Sequence, residues 1–372
     1  MLRTAIIGCG KIADQHVLAM RRIPGCVLVA ICDRELLMAE QLGERFDVEA
    51  RYGDPGEMLT SCSPDVVHIT TPPQSHYSLA QQCFDSGCHV YLEKPFTVTA
   101  GEAQSLLHLA QRHNLKITAG HNLQFTLEML AMRRLVEKGF LGGRPVHLES
   151  HFSYDLSDAS YMAPLLSNRN HWVRQLPGQL LHNILSHGIA KLAEFLDDEI
   201  VELTAFATQS PRLRSMGGEE MLDELRVLLR DGRGTTAFFC FTTQIKPGIN
   251  QLRIYGPANS IMVDHGSGSI VCYRNRSCKS YLTYFLPPLY NAAEYFRNAC
   301  SNVRDFLKLK LYQDAGMKEL IARFYQCVQN GAEPPVPYRE IILTARIMDA
   351  IFQQIYPQRP ARSSVVLSAL PT

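Results

Sequence analysis

Along the first third of the chain, short β-branched and apolar runs alternate with stretches whose apolar positions recur every three or four residues. Arg3–Gly8 reads as a strand and Lys11–Ile23 as a helix. Val27–Cys32, Asp65–Pro72, His89–Lys94 and Leu115–Asn122 repeat the strand pattern, with helical stretches at 35–46, Ser75–Ser86 and Thr99–His113. Strands that are apolar almost throughout, joined by helical crossovers, predict a parallel sheet covered on both faces. After Asn122 the period changes. A helix Leu127–Lys138 ends at Gly139, and longer alternating strands follow in Arg144–Tyr154, 199–209, 223–243 and 250–265. The last two segments carry hairpin-like turns at "RDGRG" and "GPAN". This pattern predicts a large, mostly antiparallel sheet with helices on its apolar face. Helices are expected over Gly178–Leu196, Ala292–Lys310, Gly316–Gln329 and Tyr338–Tyr356. Ser157–Gly178 reads as a long polar connection, and Ser210–Glu220 as a mobile, Gly- and charge-rich stretch. The fold class is therefore α/β with a second, α+β domain. The boundary is expected between 1–121 and 122–372, the helix near 338–356 packing back toward the first domain.

Composition narrows the class of partner. Of the 372 residues 46% are hydrophobic, enough for two cores, and the net charge of +1 offers no field for nucleic acid or an anionic membrane. Neither is expected as a partner. The eleven cysteines form no C-x-x-C pair. Cys83, Cys88 and His89 lie close together but lack zinc spacing, so no metal is expected, and unpaired thiols fit a reducing compartment. "MLRTAIIGCG" runs straight into a strand without the order of a signal peptide, and no apolar run reaches the ~18 residues of a membrane span. A cytoplasmic location is the expectation. Arg297, Arg304, Lys308 and Lys310 punctuate the apolar helix Ala292–Lys310, which suits a subunit or domain contact better than a membrane surface.

"GCGKIA" (Gly8–Ala13) fits G-x-G-x-x-G/A, follows a strand, opens a helix and precedes Asp33 by about 20 residues. Gly8 permits the tight turn, Gly10 lets backbone approach a pyrophosphate, and Ala13 allows close helix–strand packing. Lys11 and Ile12 open the helix whose N–H groups favour an anion. Asp33 can accept from ribose hydroxyls and would repel a 2′-phosphate, which favours NAD over NADP; the adjacent Arg34 moderates that preference. A dinucleotide-binding Rossmann domain is the reading.

In "GQLLHNILSHGIAKLAEFL" (Gly178–Leu196), His182, Asn183, Ser186 and His187 fall within roughly 140° of the helix circumference, opposite Leu181, Ile184, Leu185 and Leu192. Solvated faces are built mostly from Lys, Glu and Arg. Two imidazoles, an amide and a hydroxyl suit either an unusual solvated face or an active-site cleft.

Further segments decide between these. "TPPQSHYSLA" (Thr71–Ala80), "LEKPF" (Leu92–Phe96) and "AGHNLQF" (Ala119–Phe125) follow the nucleotide turn in order, and "VEKGFLGGRPVHLES" and "GAEPPVPYREIILTARIMDAI" come later. Together they resemble the Gfo/Idh/MocA oxidoreductases along the whole chain. The resemblance implies hydride transfer between a carbinol carbon and nicotinamide C4, with His187 at the family's catalytic histidine and Asn183 where an aspartate is usual. Lys94 would donate to the reacting oxygen. Thr71, Pro72, His76, Glu93 and Asn122 would join the cofactor site, and His121 and Gln124 the cleft beside it; Gln124 replaces a usual arginine. Gln179 and Leu185 stand where the family has glycines. Arg169, Trp172 and Arg174 in the polar connection, with His182, are candidate substrate contacts. The function implied is an NAD(P)-dependent oxidoreductase acting on CH–OH groups of a sugar, sugar acid, cyclitol or nucleotide sugar, as a homodimer or homotetramer. The alternatives are a redox-neutral glycosidase using bound NAD and a non-catalytic dinucleotide-binding sugar sensor.

Overall fold

The computed structural model of the chain describes residues 1–356 apart from 158, 219, 312 and 313, and the backbone alone of 159–161. It divides into two compact units: Met1–Phe125 with Gly316–Arg346, and Thr126–Ala315 with the described residues from Ile347 on. The first break thus falls four residues later than expected. Gly316–Arg346, expected in the second domain, groups with the first unit.

The first unit runs β1 (Leu2–Ile7), α1 (Lys11–Met20), β2 (Cys26–Cys32), α2 (Leu36–Phe46), β3 (Arg51–Tyr52), α3 (Pro55–Cys62), β4 (Val66–Ile69), α4 (His76–Asp85), β5 (His89–Leu92), α5 (Ala100–Arg112) and β6 (Ile117–Ala119). The six strands pair in parallel in the order β3-β2-β1-β4-β5-β6. That is the doubly wound order, in which the sequence of added strands reverses between β1 and β4 and ligands bind outside the strand carboxyl ends. Every residue of β4 is buried, as a sheet covered on both faces requires. Thr99 and Glu102 form a reciprocal capping box at the start of α5.

The second unit begins with α6 (Leu127–Glu137), β7 (His147–Ser153), α7 (Ala159–Ser167), α8 (Gln179–Ala193), β8 (Ile200–Thr208) and α9 (Pro211–Ser215). β9 (Glu224–Asp231), β10 (Thr236–Thr242), β11 (Asn250–Tyr255), β12 (Asn259–Asp264), β13 (Ser269–Arg274) and α10 (Leu286–Leu307) follow. The seven strands order as β13-β12-β11-β7-β10-β9-β8, all pairs antiparallel except β7 with β10. α8 lies on this sheet. A Cβ on its Gly188 would come 2.2 Å from the Phe239 ring, and the Gly188 carbonyl accepts from Ser150 Oγ at 3.1 Å.

Two expectations change here. The polar connection 157–178 is not irregular throughout: α7 crosses it, and a 3-10 turn occupies Trp172–Gln175. The stretch after Ser210, read as mobile, is anchored. Ser210 caps α9 and bonds both oxygens of buried Asp223 at 2.6 Å.

Two later helices follow among the described residues, α11 (Ala315–Asn330) and α12 (Tyr338–Ile355). α11 supplies Phe324 against Tyr91, and Tyr325 lies 2.8 Å from His68 Nε2 on β4. The Ile117 amide of β6 donates to Tyr338 Oη at 3.3 Å.

Candidate active site

The glycine turn sits where β1 meets α1. Gly8 has φ +102°, and a Cβ there would come 2.8 Å from Thr71 Cγ2 and from the Thr71 amide, so only glycine fits. Gly10 is the α1 N-cap, and a Cβ on it would meet nothing within 4 Å. Open space beside this backbone is what a pyrophosphate at the helix N-terminus requires. Asp33, one residue past β2, accepts from the Cys9 amide at 2.7 Å and the Glu35 amide at 2.9 Å. It thereby clamps the turn while remaining partly exposed. Arg34 is almost wholly exposed and lies 3.9 Å from Glu35.

Just past β4, Thr70 Oγ1 donates to the Gly8 carbonyl at 2.5 Å, and Ser75 Oγ donates to Thr71 Oγ1 at 2.8 Å. His76 is fully buried, with Thr71 O 2.8 Å from Nε2 and Phe96 O 3.1 Å from Nδ1. It ties the turn after β4 to the turn after β5. Burial lowers its pKa against the opposing pull of these two carbonyls.

Glu93 and Lys94 directly follow β5. Glu93 is buried; its Oε2 accepts from the Lys94 amide at 3.0 Å, and its Oε1 lies 3.0 Å from His16 Nε2 on α1. Burial would raise its pKa, but the His16 bond and charge and then Lys94 bring it below the usual carboxylate value. His16 Nδ1 faces His68 Nδ1 at 2.9 Å, and His68 Nε2 faces Tyr325 Oη. Where His16 and His68 are both uncharged, each bond has one possible direction. The carboxylate only accepts, so His16 donates through Nε2; its bare Nδ1 then accepts from His68 Nδ1–H, and His68 Nε2 accepts from the Tyr325 hydroxyl. A single polarised chain runs from α11 to the residue beside Lys94.

Lys94 is partly buried; burial lowers its pKa and Glu93 opposes the shift. Glu93 packs against Gly120, where a Cβ would come 2.7 Å from Oε1. The next residue, His121, is buried with neither ring nitrogen hydrogen-bonded among the described residues. Burial pushes its pKa down to about 4, with Glu93 opposing and Lys94 adding to the fall. Asn122 Oδ1 is likewise buried without a bond among the described residues. Gln124 is buried, its Nε2 reaching Glu340 Oε2 at 3.5 Å. Orphaned polar atoms beside Glu93 and Lys94, with the open cradle at Gly10, fit a polar ligand such as the nicotinamide end of a dinucleotide.

In the second unit, twelve of the fifteen residues of α8 are buried, and the remaining three are Gln179, Asn183 and His187. These are spaced i, i+4, i+8 and form one stripe. The stripe is narrower than the sequence suggested. Ser186 is buried, and His182 is buried and stacked on Phe352, ring centroids 4.8 Å apart and planes 17° apart, which corrects its placement on the open face. Gln179 has φ +47°, so it keeps the left-handed backbone of the glycine it was expected to replace. Gly178 before it has no room for a Cβ, which would fall 2.2 Å from the Phe352 ring.

The His187 ring lies 6.2 Å from Phe152. One turn further on, Lys191 is fully buried, its Nζ donating to Asn250 Oδ1 at 2.8 Å and standing 5.9 Å from the same Phe152 ring. Burial lowers its pKa to about 7, with Glu128 opposing. Sequence reasoning missed Lys191. Its signal was a lysine among otherwise apolar residues, continuing the 183–187 spacing. In the preceding connection, Arg174 donates to the Leu165 carbonyl at 2.7 Å and the Leu166 carbonyl at 3.2 Å. It is therefore occupied in closing the end of α7, against the expectation of a substrate contact. Trp172 stacks on His171 at 5.7 Å, and Arg169 is exposed. No cluster of His, Cys, Asp or Glu able to hold a metal occurs among the described residues.

Comparison with known proteins places this geometry. Residues 2–121 match the model of an oxidoreductase family with an NAD-binding Rossmann fold, and residues 129–262 match the GFO/IDH/MocA C-terminal domain. The chain belongs to the Gfo/Idh/MocA oxidoreductase family. Among its Gfo/Idh/MocA relatives, the D-glucoside 3-dehydrogenase of Escherichia coli K12 is 33% identical over 142 residues, 38% of this chain and 40% of that one. The chain therefore spans less than half the length of that relative. The D-apiose dehydrogenase of Paraburkholderia graminis is 25% identical over 360 residues, 94% of this chain and 86% of that one. The fold of the WlbA dehydrogenase from Bordetella pertussis, solved with NADH and UDP-GlcNAcA, superposes with a TM-score of 0.77 at 17% identity, covering 99% of this chain and 98% of that one.

Proposed function

We propose that the chain is an NAD-dependent dehydrogenase that oxidises a CH–OH group of a sugar-type substrate: a sugar, sugar acid, cyclitol or nucleotide sugar. The observation that carries the reading is α8, where Asn183 and His187 stand partly open on an otherwise almost wholly buried helix. These are the two positions that correspond to the family's acid–base pair. Glucoside, apiose and inositol dehydrogenases among the relatives support the substrate class. Bound NAD would accept the hydride at nicotinamide C4.

The remaining work falls to side chains. Gly8, Gly10, Lys11, Ile12 and Ala13 hold the pyrophosphate end, and Asp33 accepts from the ribose hydroxyls and favours NAD over NADP. Thr71, Pro72, Glu93 and Asn122 border the cofactor, with His76 bracing their turns. Lys94 donates to the reacting oxygen, and His187 takes the hydroxyl proton on a ring nitrogen as the carbinol C–H bond breaks. Asn183 orients the ring or a substrate hydroxyl, and His121 and Gln124 meet the polar substrate. A cytoplasmic homodimer or homotetramer belongs to the same proposal; Phe206 and Leu228, left exposed on one face of the second sheet, support an assembled form.

The test is NADH formation from NAD+ by the purified chain across a panel of sugars, sugar acids and nucleotide sugars. Lys94→Ala and His187→Ala each lower turnover about 10²-fold or more, with NAD affinity nearly unchanged. Either variant keeping full rate on a verified substrate refutes its assigned role. NAD binding without turnover on any substrate would favour the sensor, and sugar release without net NADH the redox-neutral glycosidase.

A further inference from the structure

α10 turns its amphipathic pattern the wrong way round. It has 22 residues, and the only buried one is Glu294. The polar stripe Glu294, Asn298, Asn302 faces the protein. Asn298 acts toward the edge strand β13 as a neighbouring strand would: Oδ1 accepts from the Ile270 amide at 3.1 Å, and Nδ2 donates to the Ile270 carbonyl at 2.8 Å. Asn302 donates to the Ser267 carbonyl at 2.9 Å, and Glu294 holds Arg274 and Arg297, each at 2.8 Å.

The apolar side faces outward. Leu289, Phe296 and Val303, seven residues apart, run along its centre with Phe285 and Leu307, all 60–74% exposed. Phe306 lies beside them, and Tyr281, Tyr284 and Leu309 extend the exposed surface past both ends of the helix. At about 100° per residue the apolar arc covers roughly 160°, over a length of about 33 Å. Arg297, Arg304 and Lys308 line one border of that arc.

The width and the charge say what covers this face. A single partner helix covers a narrower seam than this. Antiparallel pairing with a second copy about the middle of the helix sets Arg297 against its own image. An anionic lipid surface satisfies both features, with the apolar side chains at the acyl boundary, the cations at headgroup level and tyrosines at the interface. We propose that α10 is an in-plane membrane helix that docks this chain on an anionic bilayer surface. α10 does not meet the length and hydropathy of a membrane-crossing helix. The proposal departs from the expectation, drawn from net charge, that no membrane is a partner, because the charge that matters to it is local. It does not rest on the dehydrogenase reading.

The test is co-sedimentation of the full chain with vesicles of phosphatidylcholine alone and of phosphatidylcholine mixed with phosphatidylglycerol. Binding to the mixed vesicles that weakens with added salt is the expected result. Phe296→Asp with Val303→Asp abolishes it. Replacing Arg297, Arg304 and Lys308 together by Gln lowers the partition about 10²-fold, at roughly fivefold per charge. Phe296 and Val303 are exposed, so the melting temperature of the aspartate variant stays close to that of the parent; in the glutamine variant Glu294 loses Arg297 but keeps Arg274, and its melting temperature is read beside its binding. The proposal is overturned if the parent chain ignores anionic vesicles or the aspartate variant binds them equally. It is also overturned if the lipid-free chain is a dimer that Phe296→Asp dissociates, since a second copy then covers the face.

Discussion

Lys191→Met should make the protein more stable at neutral pH, by an amount that shrinks as pH rises. Lys191 is wholly enclosed, and burial brings its pKa from 10.5 to about 7. At 1.36 kcal/mol per pH unit, holding the ammonium in this site at pH 7 costs about 4 kcal/mol. Methionine of similar reach removes that cost and forfeits the hydrogen bond to Asn250, worth about 1 kcal/mol. The net expectation is a variant about 3 kcal/mol more stable at pH 7. Between pH 7 and 10.5 the unfolded chain carries one more proton at this residue than the folded protein. Parent stability therefore rises with pH across that window and is level below it. The gap between parent and variant should narrow by about 1.5–2 kcal/mol from pH 7 to 8.5, or about 3–7 °C in melting temperature. Taking the difference cancels the buried thiols Cys9 and Cys32, whose pKa burial pushes up to about 12 and which weaken the parent at more alkaline pH. Thermal melts of both proteins at three pH values in this interval suffice. A gap that stays constant means that Lys191 is not titrating there, and the desolvation argument fails.

Two further predictions concern histidines. Asn183→Asp places a carboxylate one turn before His187 and stabilises its imidazolium, so the acidic limb of kcat/KM for alcohol oxidation moves to higher pH; an unmoved limb with a full deuterium isotope effect rules this coupling out. In ¹⁵N-labelled protein at pH 8, His16 should carry its proton on Nε2 and His68 on Nδ1. A His68 protonated on Nε2 would mean that the chain to Glu93 runs in the opposite sense.

The first unit was almost fully legible because its signals are local. A tight turn with Gly8 at positive φ, apolar strands and helical crossovers each follow from neighbouring residues, and α3 was missed although Asp54-Pro55 and Glu57 carry its capping signature. α8 shows where legibility stops. Periodicity found the correct helix and face, but the enclosure of His182 and Ser186 depends on Phe352 and on the underlying sheet, both distant in sequence. Arg174 looked available because its acceptors are carbonyls near the end of α7, a short helix concealed by its internal Pro164. α10 was recognised as a helix, yet its orientation was invisible. The bonds of Asn298, Asn302 and Glu294 to β13 and the turn before it show that the polar stripe is the inner one.

The bond between His68 and Tyr325 spans 257 positions, and it bears on how the chain emerges from the ribosome. The six strands of the first sheet are all synthesised by Ala119, but α11 and Tyr338, which close over them, come some two hundred residues later. At about 5–20 residues per second that is a wait of roughly 10–40 s. During that interval the His16–His68 pair lacks its terminal donor, Tyr91 lacks Phe324, and the last strand has an unpaired amide at Ile117. The nucleotide half of this protein is translated first, yet it is completed only after most of the second unit has been made.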